Sequence, residues 1–323
     1  TFPDNPLMGH VGSHPQITEY DVNGQFFGWG VQPSAMLSDI KRRLRYGKEH
    51  QVTGFLARTD WEGVQDWTCF DNLNMVNLYA IAAYAENENT SEEEIYLRWL
   101  QGEHMLDERL SPGQLKTCVQ TVKEIMDETW PIVEKTNFVN GCLFSNDSCM
   151  HLTPEQFTFI GGTHHSLSEW DPEKKDALEM SVENIARIIE DKEEAHVKCE
   201  KLVDRVVAGN MGLTEDAYEK MKEHFEFMRW YVRGFRLTAR GYCFGRYVTE
   251  KNAADMLVEG KTANVLLEET IHEMEKYREG LLQTTFIKKY PFDAQLNPER
   301  VAFYTNSLKR MLAQGKKVEI VED

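Results

Sequence analysis

Gln16-Ile17-Thr18-Glu19-Tyr20-Asp21-Val22-Asn23-Gly24 and Gln51-Val52-Thr53-Gly54-Phe55-Leu56-Ala57 decide the fold. Each is a short run of β-branched and aromatic residues bounded by turn formers, the pattern of a strand. The first leads through Asn23-Gly24 into Gln25-Phe26-Phe27-Gly28-Trp29. Between the two runs, Ser34 precedes Ala35-Met36-Leu37 and a helical stretch to Tyr46, closed by Gly47. A second helix is expected from about Asn72. The order strand, helix, strand, helix is the βαβα unit of a parallel sheet with helical crossovers.

From about residue 90 the pattern is helical to the end. Thr90 or Ser91 before Glu92, Glu93 and Glu94 marks a helix start with acids in its first turn. Ser111-Pro112 opens a helix through Trp130, where Pro131 is expected to kink or end it. Further helices are expected over 173–208, 214–240, 250–259, 262–283 and from Pro298 to Ala313, with Gly209, Gly212, Gly260 and Gly315 at their stops. The fold class is therefore mainly α, with a short N-terminal βαβα segment over 1–88 and an all-helical domain over 89–323. A complete (β/α)₈ barrel takes about 250 residues. The N-terminal segment is long enough for two βα units, so it is expected to be the end of a larger barrel whose earlier strands lie elsewhere.

The 323 residues carry a net charge of −17, with 41% hydrophobic and 28% charged residues, the composition of an ordinary globular chain. That charge argues against a nucleic-acid partner, because phosphates are met by clustered Lys and Arg. The densest basic cluster, Lys41, Arg42, Arg43 and Arg45, is expected on a solvated helix face. No run approaches the roughly 20 apolar residues of a membrane span, so no membrane partner is expected. Thr1–Pro6 has neither the basic nor the apolar region of a signal peptide. The six cysteines include no CxxC, so neither a zinc site nor a redox pair is indicated. Only Cys142 and Cys149 lie close in sequence, and the compartment stays open.

The segment Gly54-Phe55-Leu56-Ala57-Arg58-Thr59-Asp60-Trp61 leads through a loop into Phe70-Asp71-Asn72-Leu73-Asn74-Met75-Val76-Asn77-Leu78-Tyr79-Ala80. Then come Glu86-Asn87-Glu88-Asn89-Thr90-Ser91-Glu92-Glu93-Glu94-Ile95 and Trp99-Leu100. This order resembles the last barrel strand and following helices of the family 67 glycoside hydrolases, the α-glucuronidases. Pro15-Gln16-Ile17-Thr18-Glu19-Tyr20 with Gly24-Gln25 is similar to the penultimate strand of that family, whose Glu-Tyr pair belongs to the substrate site. The resemblance covers about residues 14 to 100. It implies a barrel, hydrolysis of plant-type carbohydrate with uronic acid substituents, and a helical domain that can mediate a homodimer. It places Glu19 on the base side and the general acid on an earlier strand, outside this chain.

The chemistry of the residues agrees. Sugars are held by flat aromatic faces and by Asp, Asn, Arg and Glu bonding their hydroxyls, and such groups gather at the C-terminal ends of barrel strands. Glycoside hydrolysis needs an acid for the leaving oxygen and a carboxylate to activate water or attack carbon. Glu19 and Asp60 are the catalytic candidates. Tyr20, Arg58, Trp61, Asp66 and Trp67 are the substrate-binding candidates around them, joined by His164 from the Gly161-Gly162-Thr163-His164-His165 insertion. Arg58 is the positive partner available to a uronate. Asn74 and Asn77 share a helical face with Ile81, where packing or capping hydrogen bonds are expected of them. Trp130 and Trp170 are expected in a core or at a domain interface.

Glu193-x-x-His196 and Glu269-x-x-His272 share the spacing of bundle helices that hold a carboxylate-bridged metal pair. With 53 acids and 10 histidines, chance matches to it are expected. No metal or other cofactor is assigned. The alternative to the hydrolase is a non-catalytic helical interaction module, with a metal-binding helical protein last.

Overall fold

The computed structural model describes residues 7–60, 68–139, 142–143, 181–250, 257–258, 260–289 and 296–319. The chain is mainly helical, with one small parallel strand pair near its N-terminus.

Strand β1 (Ile17–Asp21) runs parallel to β2 (Gly54–Arg58), with Ile17 opposite Gly54 and Asp21 opposite Arg58. The ladder continues one residue further, where the Val22 N–H donates to the Arg58 carbonyl at 3.1 Å. Helix α1 (Leu37–Glu49) crosses between the strands as the sequence predicts. Its basic cluster is engaged locally: Arg42 and Arg43 bind Asp39, Arg45 binds Glu88, and Lys41 sits over the Tyr84 ring. Gly47 does not close α1; the helix runs on to Glu49, and Gln51 takes the left-handed turn (φ 60°).

Helices α2 (Met75–Glu86), α3 (Glu92–Gly102) and α4 (Pro112–Asp127) follow, each packed on the one before. Ser91 caps α3 through the Glu94 N–H, and Ser111 with Gln114 forms a reciprocal capping box on α4 with Pro112 in its first turn. The helix expected to run through Trp130 ends earlier, at Asp127, the residue whose carbonyl Pro131 cannot bond. Pro131 lies in the first turn of the next helix, α5 (Thr129–Asn137), where its missing N–H is tolerated.

Beyond the short hairpin of β3 (Phe138–Val139) and β4 (Cys142–Leu143) come two long helices, α6 (Val182–Val207) and α7 (Glu215–Glu250). The sequence predicts α7 to stop near 240, yet it continues to Glu250. Residues 257–258, expected in a helix, instead form β5 (Leu257–Val258) of a hairpin with β6 (Lys261–Thr262), and Gly260 (φ 74°) supplies the left-handed turn. Helices α8 (Ala263–Gln283) and α9 (Pro298–Glu319) pack against each other. No helix among the described residues is long and apolar enough to cross a membrane.

The chain divides into two compact units. One comprises Pro3–Val133 and Lys198–Arg229, so α1 to α4 belong with the parallel strands. The other is built mainly from Glu134–Val197 and Trp230–Asp323. In the second, Gly241 and Gly245 of α7 lie against Leu308 and Met311 of α9; a Cβ at Gly241 would stand 2.6 Å from Leu308 Cδ1. Glycine there lets the two helices approach closely.

Candidate functional site

Side chains alternate across a strand, so the register sorts the site candidates onto faces. Ile17, Glu19 and Asp21 share one face with Gly54, Leu56 and Arg58. That face is open: Ile17 and Leu56 are 60% and 61% exposed. At its carboxyl-terminal end the Arg58 guanidinium lies 3.6 Å from the Glu19 carboxylate. Asp60 follows two residues beyond Arg58, exposed, its backbone bridged to Thr68. Tyr20 lies on the opposite face, edge-on to Phe55 with ring centroids 6.4 Å apart. The structure thus brings Glu19, Arg58 and the end of β2 together and sets Tyr20 behind them. Trp61, Asp66, Trp67, His164 and Trp170 lie outside the described residues.

Asp21, paired opposite Arg58 but with its carboxylate buried, is a residue that sequence reasoning passed over. Its carboxylate accepts the backbone N–H groups of Asn23 (3.1 Å), Gly24 (2.9 Å) and Gln25 (2.9 Å) and so folds the chain back at the strand end. Burial pushes its carboxyl up to about 6, outweighing those three bonds and the Arg58 charge, which pull it down. The signal for this turn was present in Asp21-Val22-Asn23-Gly24, since an Asp before Asn-Gly forms such local bonds. Asp21 is engaged in holding backbone, which fits a positioning role better than contact with a substrate.

The segment it launches is unusual for a connection. Val22 to Leu37 is buried almost throughout, whereas loops ordinarily run over the surface because their polar backbone needs water. Here asparagines replace the water. Asn74 accepts the Ser34 N–H at 2.8 Å and donates to the carbonyls of Asn23 (2.8 Å), Gly30 (3.1 Å) and Gln32 (3.0 Å). Asn77 accepts the Met36 N–H and donates to the carbonyls of Val22 and Ser34. Asn72 reaches the Asn23 side chain, and the Thr129 hydroxyl accepts the Ala35 N–H. The His224 imidazole of α7 donates through Nδ1 to the Val31 carbonyl at 2.8 Å. The hydrogen-bonding role expected of Asn74 and Asn77 is the one they play.

Gly28, Trp29 and Gly30 occupy the left-handed region in succession, at φ 85°, 57° and 75°. A non-glycine residue there costs about 1 kcal/mol or more, so the tryptophan is held by its surroundings. No side chain fits at Gly30, where a Cβ would come within 2.4 Å of the Asn23 amide. Phe27 packs edge-to-face on Trp130 at 5.5 Å, which places Trp130 in this unit's core. The segment that follows β1 is therefore a buried, hydrogen-bonded support for the end of the strand that bears Glu19 at its centre.

The two ExxH pairs do not form a metal centre. Glu193 Oε1 accepts from Arg236 (2.7 Å) and Arg240 (2.8 Å), and Glu269 pairs with Lys261. Among the described residues no three His, Cys, Asp or Glu side chains converge as metal ligands. His196 is pushed down to about 4 by burial and by the Arg236 charge. No protein-family model matches the chain, and no curated protein is significantly similar to it.

Proposed function

We propose that this chain supplies the last two βα units of a (β/α)₈-type barrel, together with the helical domain, of a glycoside hydrolase. Its substrates are plant-type oligosaccharides, as in the family 67 α-glucuronidases its sequence resembles. The observation that carries this reading is the Glu19–Arg58 pair on the open face of two parallel strands, with Arg58 at the carboxyl-terminal end of β2 and Glu19 in the middle of β1. Parallel-strand enzymes gather their catalytic groups at that end.

The exposed face supports the reading. Parallel sheets occur with both faces covered, and a two-stranded one is marginal by itself. Further strands continuing the ladder would cover Ile17 and Leu56 and leave Arg58 at the barrel mouth, with Glu19 one layer below, level with Leu56, and reaching up to it. There Glu19 acts as the base, and Arg58 orients it and meets the carboxylate of a uronic acid substituent. Asp60 is the second carboxylate at that mouth, and Trp61, Asp66, Trp67 and His164 are the remaining sugar contacts. The helical domain supports the barrel and forms a homodimer.

The test is hydrolysis by the protein of the full reading frame. Release of uronic acid from uronate-substituted xylo-oligosaccharides is expected. Absence of hydrolysis on any glycoside by that protein, folded and concentrated, contradicts the proposal.

A further inference from the structure

In the compact unit that does not carry the parallel strands, α6, α7 and α8 meet around a run of arginines. Arg233, Arg236 and Arg240 follow one another at three- and four-residue spacing, so they share one face of α7. Two of these side chains are nearly buried, Arg236 at 12% exposed and Arg240 at 13%. Glu193 Oε1 of α6 accepts from both, and Arg236 reaches Glu273 of α8 at 3.1 Å. Three guanidiniums therefore face two carboxylates.

The surplus falls on Arg233. Among the described residues it makes no side-chain hydrogen bond or ion pair; its guanidinium lies over the Trp230 and Tyr277 rings, 5.8 and 5.7 Å from their centres. Arg229, one turn earlier on the helix, is by contrast met by Glu200, Asp204 and Glu226. An aromatic face stabilises a cation without neutralising it, and leaves N–H groups of the guanidinium fork unused. Arg240 likewise keeps its buried Nε without an acceptor, so the cluster holds more donors than acceptors. Buried donors and charges are ordinarily matched.

His196 of α6 lies in the same field. Burial and the charges of Arg236 and Arg233 push its ring down to about 4, so it is neutral at pH 7 and leaves the surplus at one positive charge. A monoanion cancels that charge, whereas a dianion overshoots it beside Glu193 and Glu273. A carboxylate matches the paired N–H groups of a guanidinium. Trp230, partly exposed beside Arg233, offers a flat apolar face to the rest of such a molecule. We propose that this three-helix junction binds a small organic monocarboxylate, Arg233 taking the carboxylate and Trp230 the apolar body.

Calorimetric titration of the whole chain at neutral pH with benzoate, and with benzamide as its neutral isostere, tests this. Saturable binding of benzoate at one site is expected, with benzamide at least about tenfold weaker. Arg233→Gln weakens benzoate at least about tenfold. Raising salt from ~20 to ~300 mM weakens benzoate and leaves benzamide unchanged. Should Arg233→Gln lose its circular dichroism signature, the wild type still decides through the imidazole resonances of His196, which shift with benzoate and not with benzamide. No saturable binding at ~10 mM benzoate, equal binding of benzamide, undiminished binding by a folded Arg233→Gln variant, or His196 resonances that bound benzoate leaves unmoved overturns the proposal.

Discussion

Replacing Asn74 with alanine tests the support behind the strand end. The side chain holds four backbone groups of a buried segment: the Ser34 N–H and the carbonyls of Asn23, Gly30 and Gln32. Its amide has two hydrogens for three carbonyls, so about three full bonds are lost on truncation. A buried polar group left without a partner costs roughly 1–3 kcal/mol. Relaxation offsets part of this, leaving an expected destabilisation of about 3–6 kcal/mol for Asn74→Ala, a large part of the 5–15 kcal/mol typical of whole domains. Asn74→Asp keeps the acceptor for Ser34 but turns an oxygen toward three carbonyls. At neutral pH it is expected to cost at least as much, and to recover partly as acid protonates it. Urea denaturation followed by tryptophan fluorescence, with amide exchange over 22–36, measures both. A cost under about 1 kcal/mol for the alanine variant, or an aspartate variant as stable as wild type at neutral pH, refutes the clamp.

Three further outcomes follow from buried groups and backbone strain. Lys192 is 1% exposed, and its amine donates to the carbonyls of Lys135 and Phe138 at 2.7 Å each. Burial pushes it down from 10.5 to about 7 against the pull of Asp191. The unfolded chain keeps that proton to higher pH, so stability should rise between pH 7 and about 8.5 by up to about 1.4 kcal/mol per pH unit and be lost as pH falls through 7. Lys192→Met should flatten that slope in urea titrations, and an unchanged slope counts against it. Cys69, Cys118, Cys199 and Cys243 are buried free thiols, all pushed up by burial, Cys69 and Cys243 to about 12 and Cys118 to about 11. A thiol reagent at pH 8 should modify these four only on unfolding, as peptide mapping would show. His104 ends α3 in the left-handed region (φ 54°), so His104→Gly should raise stability by about 0.5–1 kcal/mol in thermal melts, and a loss would mean that the left-handed turn is not strained.

What was legible in the sequence were features set by near neighbours. The strand, helix, strand order follows from β-branched runs and punctuation, and Ser91 and Ser111 mark helix starts because a cap bonds within its own turn. What was hidden depends on contacts far along the chain. Residues 22–36, with three glycines and a proline between the two strands, suggest a surface connection, but their carbonyls are bonded by Asn74 and Asn77 more than forty residues away. Helix α7 was expected to end near 240 but continues to Glu250, where it carries buried residues on most sides and Glu193 on another helix, with Glu273, pairs its Arg236 and Arg240. The same carboxylate shows why Glu193-x-x-His196 is not a ligand pair: spacing along one helix does not say which cation faces it. Of the candidate site, Glu19 and Arg58 stand out as polar residues in short strand-like runs, while Asp21 was passed over as part of a turn.

The most direct measurement is the turnover number of Glu19→Gln against wild type in the protein of the full reading frame, on uronate-substituted xylo-oligosaccharides. A fall of about 10²–10⁴ with the fold intact is the result expected if Glu19 is the base at the mouth of a barrel. Turnover within about threefold of wild type would contradict that role and remove the parallel strand end from the chemistry.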